Sequence, residues 1–91
     1  MQRFDEGPNS EKALIESMEL HLLHMHAYPM WTVGVTSDPD KRYAELEEPA
    51  FWCHWGASTA EVAQRVMQHF ADRGMKPQTP VPPGATYVYI Y

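Results

Sequence analysis

The chain is expected to fold as a small α+β domain, and three stretches carry that expectation. Residues 31–36 (WTVGVT) are rich in β-branched and aromatic side chains and read as a strand. Residues 86–91 (TYVYIY) alternate strictly and read as a second strand. Between them, Ser58-Thr59-Ala60-Glu61 has the form of a capping box. The helix it opens, about 58–73, carries Ala63, Val66, Met67 and Phe70 on one apolar face and ends at Gly74.

The remaining elements follow in order. Residues 1–9 are polar, contain Gly7-Pro8, and are read as a flexible N-terminal tail before a single domain at 10–91. Ser10 can cap a short helix running into residues 11–16. Residues 18–26 (MELHLLHMH) admit two readings. Met18, Leu20 and Leu22 alternate as a strand would, whereas Leu14, Met18, Leu22 and Met25 would form one face of a helix continued from Ser10. Residues 27–30 make a connector of hairpin length. Ser37-Asp38-Pro39 combines a turn with a helix start, since Asp38 can cap and Pro39 suits the first helical position. The helix it opens, about 39–48, is stopped by Pro49. Residues 49–57 read as a connector holding Phe51, Trp52, Cys53, His54 and Trp55, and 77–84 (PQTPVPPG) as an irregular proline-rich link.

At 91 residues the chain is one domain with a modest core. Its net charge of −5 argues against broad electrostatic attachment to nucleic acid, while leaving room for a local basic site. Ten of the twelve acids lie in residues 1–48. Lys41, Arg42, Arg65, Arg73 and Lys76 could converge near one end of the sheet. The single cysteine, Cys53, cannot form an internal disulfide, which suits a reducing compartment. With no apolar run of membrane-spanning length and no signal-peptide core, a soluble cytoplasmic protein is expected.

Several side chains are candidates for chemistry. His21, His24 and His26 have metal-ligand spacing, with Cys53 and His54 as further donors; their ordinary role is as polar positions of an amphipathic element, and no metal or cofactor is expected. Phe51, Trp52 and Trp55 could offer a stacking surface to a ligand or protein partner, or could cover the core. Tyr87, Tyr89 and Tyr91 share one face of the last strand, either as a partner surface or as a half-covered sheet face. Arg42 could clamp a phosphate or pair with Asp38 or Glu45 of its own helix.

Gly34 at the end of a strand, followed after a turn by Arg42 on a helix, resembles the second motif of the GIY-YIG nuclease superfamily. The strand end reads Thr32-Val33-Gly34 where that family has a Tyr-Ile-Gly, and Arg42 stands at the catalytic arginine. A later family helix, with a small residue, a metal-binding glutamate four positions on and then an apolar residue, is similar to residues 63–70 here. Ala63 and Phe70 fit, but Met67 occupies the glutamate position. The resemblance covers roughly residues 18–91. It implies that 18–26 is a strand, completing a three-stranded antiparallel sheet of 18–26, 31–36 and 86–91 flanked by helices. It also implies phosphodiester chemistry that this chain lacks the parts for. Both motif tyrosines are missing, and a thioether does not hold a hard cation such as magnesium. The implied function is a catalytically inactive domain binding nucleic acid or another partner near Gly34, Arg42, Trp52, Trp55 and Arg65. The alternatives are a protein-interaction module using Trp and Tyr surfaces, and a working nuclease whose site is rebuilt from Glu61 or His69.

Overall fold

A computed structural model describes residues 2–23 and 28–91, with side chains from Asp5 onward. The elements are β1 (Gln2–Asn9), α1 (Glu11–His21), a 3-10 turn (Tyr28–Met30), β2 (Thr32–Thr36), α2 (Pro39–Glu45), β3 (Trp52–Ala57), α3 (Ala60–Asp72), β4 (Lys76–Pro77) and β5 (Tyr87–Ile90). The fold is α+β, as expected. Its sheet is a mixed one of five strands in the order β1-β3-β5-β2-β4, which corrects the three-stranded antiparallel arrangement. β5 lies at the centre, antiparallel to both β2 and β3, while β1 and β4 add to the edges in parallel.

The expected β2–β5 pairing is present, and α2 and α3 fall within the expected stretches, although α2 ends at Glu45 and not at 48, with Glu47 and Glu48 at φ 64° and 52°. Three assignments change. Residues 18–21 belong to α1, a helix, while 24–26 lie outside the described residues. Leu14, Met18 and Leu22 recur every four residues and are buried, whereas Leu20 is 73% exposed. A strand would have put Leu20 beside Met18 and Leu22, so the helical period wins. Ser10 caps this helix by accepting the Ala13 N–H at 3.2 Å.

Residues 2–9, read as a loose tail, form β1. Its register runs from Gln2 opposite Trp52 to Asp5 opposite Trp55, breaks at a bulge, and resumes at Asn9 opposite Ala57. Gly7 sits in the bulge at φ 67°, where the chain passes so near Gly56 that a side chain at Gly7 would strike that carbonyl. Asn9 donates through Nδ2 to the same Gly56 carbonyl at 2.9 Å. The supposed connector 49–57 contains β3, buried at every position because both its faces are covered.

Alternation sorts the sheet into two faces. Val33 and Val35 of β2, Cys53, Trp55 and Ala57 of β3, and Val88 and Ile90 of β5 join one apolar cluster with α1 and α3. From α3 it takes Val62, Ala63, Val66, Met67 and Phe70. The opposite face carries Gly34, Trp52, His54, Tyr87 and Tyr89, and α2 lies over it. None of the described helices is long and apolar enough to cross a membrane.

The cap of α3 is Thr59, one residue later than the capping-box reading: its hydroxyl accepts the Val62 N–H at 3.1 Å. Ser58 is used through its backbone instead, donating to the Asn9 carbonyl at 2.8 Å. Thr59→Ala should therefore lower stability by about 1 kcal/mol, and Ser58→Ala should stay within about 0.5 kcal/mol of the parent. Urea unfolding of both variants checks this, and a larger loss at Ser58 would place the cap there.

Candidate functional site

The site grows from the meeting of β2, α2 and β5. β2 ends at Thr36, whose hydroxyl accepts the Asp38 N–H at 3.2 Å and so shapes the turn. Asp38 then caps α2 by accepting the Lys41 N–H at 3.1 Å, with Pro39 at the helix start. This short path places Arg42 above the sheet, over Tyr89. Tyr89 lies opposite Gly34 in the antiparallel register. Its phenol end passes directly over the bare Gly34 backbone, and a Cβ on Gly34 would meet Cζ and the hydroxyl at 2.5 Å. The close approach expected at Gly34 is therefore made by a side chain of the protein itself.

Arg42 is held from two sides. Nε donates to the Tyr89 hydroxyl at 3.2 Å, and Nη1 pairs with Glu45 Oε1 at 3.3 Å. Of the two carboxylate partners weighed for Arg42, Glu45 fills the role and Asp38 is occupied as a cap. The arginine side chain remains 28% exposed, and Nη2 has no hydrogen-bond partner among the described residues. The Tyr89 hydroxyl accepts from Arg42, so its own proton is left to point at something else. A cleft of about 330 Å³ opens here, lined by Thr36, Ser37, Asp38, Lys41, Arg42, Glu45, Pro80, Pro82 and Tyr89.

Both groups are tuned to donate. The hydrogen bond to the Tyr89 hydroxyl raises Arg42 above its ordinary value, so it stays cationic. Burial raises Tyr89, with Arg42 drawing it back only in part, so it stays a neutral phenol.

Behind the cleft lies an aromatic stack. Tyr89 is stacked on Trp52 with centroids 4.8 Å apart and planes 15° apart, and Tyr43 of α2 covers Trp52 at 5.3 Å. The Trp52 indole N–H, which can only donate, points at His54 Nδ1 at 3.1 Å. His54 Nδ1 must then be the acceptor, and Nε2 carries the proton toward Glu6 Oε1 at 3.3 Å. Glu6 also accepts from the Tyr87 hydroxyl at 3.1 Å, which raises Tyr87 above its ordinary value.

Of the binding residues singled out from sequence, Gly34, Arg42 and Trp52 meet around Tyr89, while Trp55 and Arg65 lie on the other side of the sheet. Trp52 and Trp55 lie on opposite faces of β3, with 0% and 2% exposure, so no Trp surface is presented to a partner. The tyrosine row is a half-covered face: Tyr89 is buried, Tyr87 and Tyr91 partly so. Arg65 is on α3 across the sheet, bonded to Glu11 of α1. The basic groove is correspondingly reduced, since Lys41 and Arg42 are the cations lining the cleft. Met67 is buried in the apolar cluster, on the other side of the sheet from Arg42. Glu61 is on that side too, beside a second groove formed by α3, Val81 and Pro83. His69 belongs to the same helix and lies edge-on against Phe70.

His21 Nε2 does reach Cys53 Sγ, at 3.1 Å, while His24 and His26 fall outside the described residues. Among the described residues no group of three His, Cys, Asp or Glu side chains could hold a metal ion. Within the cleft, Asp38 and Glu45 are the carboxylates, each with one oxygen already engaged. Sequence reasoning missed Tyr89 as the partner of Arg42. The signal was its position out of phase with Val88 and Ile90, but the register against Gly34 was needed to use it.

With this geometry, the molecule is a mixed-sheet α+β domain carrying a small cleft lined by a guanidinium, an ammonium and a phenol. No protein-family model, curated protein or solved structure matches the chain.

Gly34→Ala should displace Tyr89 and cost about 1–3 kcal/mol as an overpacked site. Near-ultraviolet circular dichroism of the Trp52–Tyr89 stack and urea unfolding read it, and an unchanged midpoint and spectrum would refute the contact. A pH dependence follows from Tyr89. Its raised folded value means that the unfolded chain loses this proton first. Its contribution is intact below about pH 10 and is lost as pH rises through the folded value. Unfolding midpoints should fall at alkaline pH in the parent and fall less in Tyr89→Phe; parallel falls would remove Tyr89 as the cause.

Proposed function

We propose that this chain is a non-catalytic binding domain that holds a phosphate group of a nucleic acid in the Arg42 cleft. The observation that supports it is the state of Arg42. Its Nε is anchored by the Tyr89 hydroxyl, Nη2 has no partner among the described residues, and both side chains line the same small cleft. Two anchored donors, one cationic, suit a tetrahedral oxyanion, and an arginine held at Nε loses little further entropy on binding. The nucleic-acid assignment comes from the resemblance of 32–42 to the GIY-YIG strand, turn and arginine helix.

Absence of cleavage follows from what surrounds the arginine. The glutamate position of the resemblance is Met67, and Met67 is buried across the sheet. The metal in such hydrolysis neutralises developing charge and polarises the phosphate, and among the described residues no group of three His, Cys, Asp or Glu could hold it. Asp38 and Glu45 instead cap a helix and pair with Arg42.

The test combines binding and cleavage. A short labelled single strand should bind the parent protein with a shallow salt dependence, a log–log slope of about −0.7 for a single phosphate contact. Arg42→Ala should weaken it by about tenfold. No strand scission is expected with magnesium or manganese. Metal-dependent cleavage lost in Arg42→Ala would overturn the non-catalytic reading and direct attention to Asp38 and Glu45.

A further inference from the structure

We infer that the cleft accepts a nucleoside monophosphate unit by its terminal phosphate, either as a free nucleotide or as the phosphorylated end of a single strand, and not an internal phosphate of a continuing chain. This rests on the phosphate-binding reading above and names its ligand.

Charge carries the first part of the argument. The cations lining the cleft are Lys41 and Arg42, and Arg42 already shares its charge with Glu45. Asp38 and Glu45 line the same cleft. Farther along this sheet face, Glu6 is bonded to the Tyr87 hydroxyl, and Asp40 acts on that hydroxyl electrostatically. A strand continuing in both directions would press its neighbouring phosphates against carboxylates, with little cationic surface to offset the repulsion. A terminal phosphate has no neighbour on one side. It also carries a charge of about −1.5 to −2 at neutral pH, against one for an internal diester, and so gains more from a single guanidinium.

Size and lining carry the second part. About 330 Å³ is at the small end for a ligand pocket and matches one nucleotide unit rather than a run of them. Pro80 and Pro82 supply apolar rings to the lining, with the ring of the largely buried Tyr89 behind them. Rings of that kind suit the sugar or base attached to the phosphate. Inorganic phosphate would use only the polar donors of Lys41, Arg42 and Tyr89.

The experiment is fluorescence anisotropy on the full chain with single strands of one sequence: 5′-phosphorylated, 3′-phosphorylated, hydroxyl-ended and circular. Adenosine monophosphate and inorganic phosphate serve as competitors. At least one phosphorylated end should bind about tenfold or more tightly than the hydroxyl-ended and circular strands. Adenosine monophosphate should displace it better than inorganic phosphate does. The preference should vanish in Arg42→Gln and in Tyr89→Phe, each first checked for native circular dichroism, and persist in Arg65→Ala on the far side of the sheet. Adenosine monophosphate binding as tightly as the strand end supports the free nucleotide as sufficient ligand; weaker binding supports the strand end. Circular and hydroxyl-ended strands that bind equally well, in an Arg42-dependent way, overturn this inference and leave the phosphate-binding reading standing. Inorganic phosphate competing as well as the nucleotide removes the nucleoside from it. Absence of Arg42-dependent binding by any probe overturns both.

Discussion

Tyr89 has to fit between a tryptophan and a strand without a side chain, and much of the molecule is arranged around that fit. Its ring is stacked on Trp52, and its phenol end lies over Gly34. Only a glycine in β2 leaves room for it. Because β5 is the central strand, the placement of this ring also sets how α2 can cover the sheet: Tyr43 closes over Trp52, and Arg42 closes over Tyr89. The hydroxyl at the end of the ring is then the point where packing turns into chemistry. It is buried enough to stay protonated and near enough to fix a guanidinium at the cleft wall.

The two faces of the sheet divide the physical work. One is an ordinary apolar core, where α1 and α3 bury Leu14, Met18, Val66 and Phe70 against the valines of β2 and β5. The other is aromatic and polar. There, Trp52, His54, Glu6 and Tyr87 form a line of hydrogen bonds: the indole, which cannot accept, sets the His54 tautomer, and the Glu6 carboxylate accepts from both His54 and Tyr87. The line runs from the buried Trp52–His54 pair out to the exposed Glu6 carboxylate, and the buried pair penalises any arrangement that leaves one member unpaired. The line also ties the edge strand β1, through Glu6, to the strands that carry the cleft.

The same division separates residues that the GIY-YIG resemblance would place across one groove. Met67 belongs to the apolar core and Arg42 to the polar face, with the sheet between them. A carboxylate substituted at position 67 would therefore enter the core instead of facing the arginine. Charge follows a similar logic. Arg65 of α3 pairs with Glu11 of α1, and the cations that line the cleft are Lys41 and Arg42.

Sequence alone determined those elements whose signals are local. The β-branched run of β2, the Asp38-Pro39 start of α2, the amphipathic α3 and the alternation of β5 each declare themselves within a few residues, since caps and periodicity act over one or two turns of chain. Arg42 and Gly34 were legible for the same reason. Tertiary structure decided the rest. β1 is polar, glycine- and proline-bearing, and becomes a strand only because β3 offers it a parallel edge. β3 resembles a connector because burial on both faces erases the alternation by which half-buried strands are recognised. For residues 18–21, alternation and helical period coincide, and the choice falls to the core, which takes Met18 and Leu22 and leaves Leu20 in water. The partner of Arg42 is 47 residues away along the chain. Register between β2 and β5 joins the two, and register is a property of the paired strands that neither stretch contains by itself.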